Sequence, residues 1–206
     1  MGHPARGGGL MEFTDVVRKR RMVRNYDPDR PVPPELLDQL LEYAIRAPSA
    51  GFSQGWGFLV LTSAVERAQF WTATADDGPA DSWLTGMQNA PAIVVIHSCK
   101  KIYLDRYAER DKGWTDRDEH RWPVPYWDID AGFASLMMML GAVDSGLVTC
   151  FFGISPEKTA TYRGAFDVPN EYDPIGVLTI GYPAPDRKSP SLKRGRRSVD
   201  QVVHRG

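Results

Sequence analysis

Cysteine and histidine are scarce in this chain of 206 residues, and neither is spaced as a metal or disulfide site requires. Two cysteines, Cys99 and Cys150, and four histidines are present, with no CxxC or HExxH pattern among them. This spacing argues against a zinc site. Two isolated thiols in apolar runs are typical of a protein kept in a reducing compartment. We therefore expect no metal and a cytoplasmic location.

Long apolar runs and a strong charge of one sign are also missing. No run approaches the roughly 20 apolar residues that span a bilayer, and residues 1–10 lack the apolar core of a signal peptide. Those ten residues predict a disordered leader before a single domain at 11–206. The net charge is −1, and the basic run at 193–197 has no nucleic-acid motif around it. We expect neither a membrane nor a nucleic acid as partner.

Two common enzyme motifs, one catalytic and one for binding a dinucleotide, are absent as well. The chain has no GxSxG nucleophile elbow and no GxGxxG after a predicted strand, which argues against a serine hydrolase and a Rossmann dinucleotide site. If the chain is an enzyme, a bound cofactor carries the reactive atom. We accordingly predict no catalytic side chain.

Hydrophobic patterning predicts helices layered on a sheet. With 42% hydrophobic and 25% charged residues, the chain suits one domain with its own core. The longest helical pattern, 128–145, is apolar on nearly all sides and predicts a central buried helix. The expected fold is α+β, with about four strands separated by helices. Strands are predicted at 58–61, 91–97, 147–152 and 175–180, and the other helices at 11–20, 33–47, 64–75, 82–89, 101–108 and 156–166.

Three short stretches are candidates for ligand binding, each with a plainer alternative. Arg20, Arg21 and Arg24 lie close enough to grip one phosphate, or they form a solvated helix end. The small residues of 47–57 allow the backbone to approach a flat ligand, or they form a helix-ending loop. The strand end at 150–153 offers an apolar wall and a free glycine amide, or two core phenylalanines.

A polar stretch at 109–126 carries Trp114 and Trp122. A loop of this length in a compact domain is usually functional or disordered. One hypothesis makes it a lid over the ligand, with Trp122 or Trp127 stacking on the substrate. The alternative is a surface loop whose tryptophans pack on their own subunit.

Taken in order along the chain, these stretches resemble the nitroreductase family of FMN enzymes. The family's RR-x-x-R-x-[FY] stretch corresponds to RRMVRNY at 20–26, and its APS-x-x-x-x-Q-P-W-x-F stretch to APSAGFSQGWGF at 47–58. A strand end at 151–153, a Gly-Tyr-Pro turn at 181–183 and a basic, then apolar, tail follow. The resemblance extends from about residue 11 to residue 204. Met22, Gly55, Trp83 and Gly86 depart from the family pattern.

The resemblance implies a nitroreductase-like mixed sheet of about four to five strands, a swapped C-terminal tail, and a homodimer with FMN at the subunit interface. It implies that the 20–24 stretch and the tail bind the phosphate and the pyrimidine side of FMN. It implies that the strand end at 151–153 lies near the flavin N5. The loop is implied to come from the other subunit. The implied FMN-binding residues are Arg20, Arg21, Met22, Arg24, Pro48, Ser49, Ala50, Phe52, Phe152, Gly153, Arg196 and Arg197.

The activity implied is hydride transfer from NAD(P)H to a small acceptor, such as a nitroaromatic or a quinone, by a ping-pong mechanism. Two alternatives stay open at this point. The APSAGFSQ stretch is also similar to oxygen-dependent enzymes that fragment FMN to dimethylbenzimidazole. A flavin-binding or storage protein without turnover would share the same cofactor residues.

Overall fold

A computed structural model describes residues 11–76, 78–187 and 189–206. The predicted leader, 1–10, lies outside the described residues. The helices are α1 (Phe13–Lys19), α2 (Pro34–Ala44), α3 (Ala64–Thr74), α4 (Ser82–Gln88), α5 (Lys100–Tyr107), α6 (Tyr126–Asp144) and α7 (Pro156–Ala165). The strands are β1 (Trp56–Leu61), β2 (Ala92–Ser98), β3 (Val148–Phe152) and β4 (Asp173–Gly181). These elements confirm the predicted α+β fold and fall within a few residues of their expected ends.

The four strands form one sheet in the order β1-β2-β4-β3. All three strand pairings are antiparallel, so the expectation of a mixed sheet was wrong for the named strands. Among the described residues, parallel pairing is found at an isolated bridge between Met22 and Thr149. Because successive side chains of a strand point to opposite faces, β2 carries apolar residues to both sides, and all seven of its residues are buried.

Helices cover both faces of the sheet. On one face, Val94 and Ile96 pack in a cluster with Leu40 of α2 and Met138 of α6. On the other face, Ile93 and Val95 belong to a second cluster with α3 and α7, which includes Phe70, Trp71 and Tyr162. The core therefore has two layers divided by the sheet, as helix-covered sheets require.

Helix α6 is the predicted long central helix, but it is not buried on every side. Ala134, Met138 and Ala142 are fully buried, whereas its outer face leaves Phe133, Leu136 and Met137 exposed. The sequence pattern marks all these positions as apolar and cannot tell which side faces the sheet of its own chain. The exposed face is therefore a correction to the expected burial on nearly all sides.

Both cysteines are buried free thiols, and the cytoplasmic location that they favour stays a prediction. Among the described helices, none is long and apolar enough to cross a membrane.

Candidate functional site

The arginine stretch lies alongside β3, which is an edge strand of the sheet. The Val23 amide donates to the Thr149 carbonyl over 3.0 Å, and the Phe151 amide lies 3.3 Å from the Met22 sulfur. Met22 is therefore turned toward its own sheet. This pairing runs residues 20–24 alongside β3, whose last residue is Phe152.

Tyr26 anchors the end of this stretch in the core. Its side chain is fully buried, and its hydroxyl donates to the Val23 carbonyl over 2.8 Å and lies 2.8 Å from the Thr179 hydroxyl on β4. Burial raises the pKa of Tyr26 well above its ordinary value, so the hydroxyl stays protonated and holds the backbone turn. The aromatic position of the RRMVRNY stretch thus has a structural role.

A cleft of about 770 Å³ opens between the arginine stretch, α4 and the chain after β4. Its size is within the roughly 300–1,000 Å³ usual for ligand pockets. Arg24, Trp83 and Arg187 line it. Gly86 lets α4 lie directly on the arginine stretch, since a Cβ there would sit 2.1 Å from the Arg24 carbonyl oxygen. No side chain larger than hydrogen fits at this point of the cleft.

The charge around the cleft is mostly positive. Arg24 and Arg187 line it, and Arg20 and Arg21 precede Arg24 on the same short stretch. Asp186 is the acidic member, with its carboxylate 3.8 Å from an Arg21 nitrogen and accepting the Arg24 backbone amide over 3.2 Å. One carboxylate against several guanidiniums leaves capacity for a dianionic phosphate, which arginine binds with paired hydrogen bonds.

A smaller cavity of about 340 Å³ shares Trp83 with this cleft. Trp71, Trp83, Phe152 and Gly153 line it. Phe152 stacks on Trp71 with ring centroids 5.9 Å apart, and the Trp83 ring meets Phe152 edge-on at 5.4 Å. A Cβ built on Gly153 would meet nothing within 4 Å, so this strand end is open to a flat ring.

The predicted loop at 48–52 lies elsewhere in the same chain. The residues that line the two cavities include none of Pro48, Ser49, Ala50 or Phe52. The loop instead packs against α5 and α6, where the Ala50 amide donates to the Asp130 carboxylate over 2.8 Å. Phe52 points outward and is 74% exposed.

The predicted tail cations are also apart from the cleft. Residues 190–206 are all exposed, and neither Arg196 nor Arg197 lines either cavity. Arg197 donates to the Gln201 carbonyl in its own tail. One chain thus brings the arginine stretch and the strand end together. It brings neither the 48–52 loop nor the tail cations Arg196 and Arg197 to the cleft.

The two tryptophans predicted to touch a substrate pack within their own subunit. The Trp122 ring lies 4.4 Å from that of Tyr107 and 5.6 Å from that of Trp114. Trp127 meets Tyr103 at 6.3 Å. A contact of either tryptophan with a substrate stays a prediction, and this packing is the arrangement that the alternative interpretation of the loop describes.

Sequence reasoning missed several residues that shape the site. Trp83 was noticed only as a departure from the family pattern, yet it lines both cavities. Asp186 stands in a polar stretch without any periodic signal, and its contact with residues 21–24 crosses about 160 positions. Asp130 lies near the start of a largely apolar helix, two residues after Asp128, and its burial has no signal in the sequence pattern.

The fold and the cleft together define an α+β protein with an arginine-lined cleft beside one edge of its sheet. The sequence profile of the nitroreductase family matches residues 17–182. The chain therefore belongs to the nitroreductase family.

Known proteins of similar sequence and structure agree. A protein of Methanothermobacter thermautotrophicus, named a candidate NADH dehydrogenase/NAD(P)H nitroreductase, is 27% identical over 176 residues, which cover 84% of this chain and 78% of that protein. A nitroreductase family protein of Streptococcus pneumoniae has a TM-score of 0.74 at 17% identity and covers 95% of this chain and 100% of its own. A candidate nitroreductase of Exiguobacterium sibiricum, solved in complex with FMN, has a TM-score of 0.66 at 22% identity over 93% of this chain and 99% of its own.

Proposed function

We propose that this protein binds FMN and uses it to pass hydride from NAD(P)H to a small organic acceptor, such as a nitroaromatic or a quinone, by a ping-pong mechanism. One observation carries the proposal: an arginine-lined cleft and a smaller aromatic cavity that includes the open backbone of Gly153 share the side chain of Trp83. Membership of the nitroreductase family and the FMN complex of the Exiguobacterium sibiricum protein support it.

The residues present fit the two ends of FMN. At the phosphate end, Arg24 and Arg187 line the cleft, and Arg20 and Arg21 precede Arg24 on the same short stretch. At the ring end, Phe152 and Trp83 form apolar walls, and no Cβ obstructs the Gly153 backbone. Bound FMN would supply the hydride-carrying ring, and the chain would bind it, orient it and leave one face open. Such chemistry needs no catalytic triad.

We propose further that the active form is a homodimer with FMN at the subunit interface. The outer face of α6 and helix α1 expose Phe133, Leu136, Phe13 and Val17, an apolar surface that a single chain leaves uncovered. Phe52 projects from the loop, and the tail carries Arg196 and Arg197 away from the body of the chain. A second copy can therefore supply Pro48, Ser49, Ala50, Phe52 and the tail cations, which one chain does not bring to its own cleft.

The test is anaerobic stopped-flow mixing of the FMN-loaded protein with NADH and, separately, NADPH. We expect the flavin absorbance to bleach and then to return when a nitroaromatic or a quinone is added. Double-reciprocal plots of the steady-state rates should be parallel, as ping-pong kinetics require. A storage protein would hold FMN without bleaching, and an FMN-fragmenting enzyme would lose flavin irreversibly in oxygen. A colourless monomer that takes up no FMN at micromolar concentration would refute the proposal.

A further inference from the structure

The loop at 49–54 holds an unusual backbone conformation. Gly51, Phe52 and Gln54 have φ values of 61°, 56° and 56°, in the left-handed region that residues with a side chain rarely occupy. Phe52 is also largely exposed, so its own side chain does not fix this shape. Such conformations persist where surrounding contacts determine them.

One support comes from the buried carboxylate of Asp130 on α6. Its Oδ2 atom accepts the Ala50 amide over 2.8 Å and the Tyr103 hydroxyl over 2.7 Å. The Tyr103 hydroxyl lies 3.2 Å from the Ser49 hydroxyl oxygen, which accepts the Gln54 amide over 2.8 Å. Both ends of the loop are thus tied to one buried carboxylate.

A second support comes from the opposite side, through Arg106 on α5. Its Nε atom donates to the Gly51 carbonyl over 3.0 Å. Its two terminal nitrogens donate to the two carboxylate oxygens of Asp111, each over 2.7 Å. A guanidinium held by such a paired contact has a fixed orientation. Asp111 makes this paired contact, and Glu109 accepts one further hydrogen bond from a terminal nitrogen over 3.2 Å, so Asp111 is the main determinant of where Arg106 presents its third donor.

The ring of Tyr107 completes this side. A Cβ on Gly51 would lie 2.5 Å from that ring, so the loop backbone rests directly on it. Trp114 and Trp122 pack on the same ring at 4.9 and 4.4 Å. Residues 109–125 therefore contact the residues of α5 that touch the loop.

We propose that residues 109–125 are a buttress for the 49–54 loop, with Asp111 and Arg106 as positioning residues that set the direction in which Phe52 projects. The effect on FMN binding rests on the proposed function, in which the loop completes the FMN site of a second copy. It assigns the tryptophan-bearing stretch to the shape of the flavin site rather than to a lid that opens and closes over it.

The test compares Asp111→Ala with a matched control, Asp116→Ala. Both aspartates are exposed, lie in the same stretch and pair with an arginine, but the partner of Asp116 is Arg121, and no described hydrogen bond links Arg121 to the loop. Two quantities are measured on the full-length protein: the amide hydrogen-exchange rates of residues 49–54 without FMN, and the Kd for FMN. Phe52→Ala and the double variant Asp111→Ala/Phe52→Ala complete the set.

We expect Asp111→Ala to accelerate exchange across 49–54 and to raise the Kd for FMN about fivefold, the size that an exposed pair of good geometry supports. Asp116→Ala should change neither by more than about twofold. In the Phe52→Ala background, Asp111→Ala should add little further loss of affinity, since it acts through the placement of Phe52.

Equal effects of Asp111→Ala and Asp116→Ala on exchange at 49–54 would overturn the assignment of Asp111 and Arg106 as positioning residues. Losses of affinity that simply add in the double variant would overturn their action through Phe52. If wild-type protein binds no FMN, the proposed function fails, but the exchange comparison still decides whether residues 109–125 hold the loop.

Discussion

Acidification should destabilise this protein through His97, which lies on β2 in the core. Its side chain is 4% exposed, and its Nε2 atom lies 2.9 Å from the Tyr162 hydroxyl. Burial lowers the pKa of His97 from 6.5 to about 4, and the charge of Arg163 acts in the same direction. A hydrogen bond to the Gly57 backbone and the charge of Asp173 oppose this shift.

The direction and size of the effect follow from these two pKa values. The unfolded chain binds a proton at His97 near pH 6.5, while the folded protein resists protonation until about pH 4. The free energy of unfolding therefore falls as the pH drops below 6.5. Linkage gives a loss of about 2 kcal/mol at pH 5, which approaches a limit of about 3 kcal/mol well below pH 4.

The assay is urea unfolding of wild type and His97→Gln at pH 7, 6 and 5, at fixed protein and FMN concentrations. Glutamine keeps a hydrogen-bonding group toward Tyr162 but does not titrate. The free energy of unfolding of wild type minus that of the variant should fall by about 2 kcal/mol as the pH is lowered from 7 to 5. A difference that stays constant over this range would refute the assignment of the acid sensitivity to His97.

Three further predictions concern the site. Arg20→Ala should weaken FMN binding about tenfold or more, because a charged hydrogen bond contributes about 1.5–3 kcal/mol. Riboflavin lacks the phosphate, so its affinity should not change. A similar loss of affinity for both ligands would indicate misfolding instead. Trp83→Leu should brighten bound FMN fluorescence and weaken binding by about 1 kcal/mol. Equal fluorescence in wild type and Trp83→Leu would place Trp83 away from the ring. Trp122→Ala should lower the melting temperature through lost aromatic packing, and a raised KM for the acceptor at an unchanged melting temperature would instead support a lid.

The helices and strands were largely predictable because their signals are local. The seven-residue run of β2 is apolar throughout, and its burial on both faces of the sheet follows from that pattern. Pro33 and Pro34 indicate the start of α2, which begins at Pro34. The clustering of Arg20, Arg21 and Arg24 likewise needs no partner to be noticed, since like charges so close together suggest a shared anion.

The arrangement of the site depended on contacts between residues far apart in the chain. Whether the arginine stretch meets the strand end depends on the pairing of Met22 with Thr149, and the charge of the cleft depends on Asp186 reaching residues 21–24. The same holds for the loop, whose shape rests on Asp130 and Arg106 from two different helices. Periodicity and local charge record what each segment can bury or bind, but a hydrogen bond between distant residues leaves no periodic pattern. The sequence by itself therefore determined the secondary structure and most of the candidate ligand-binding residues, and only the tertiary structure decided which of these candidates lie close together.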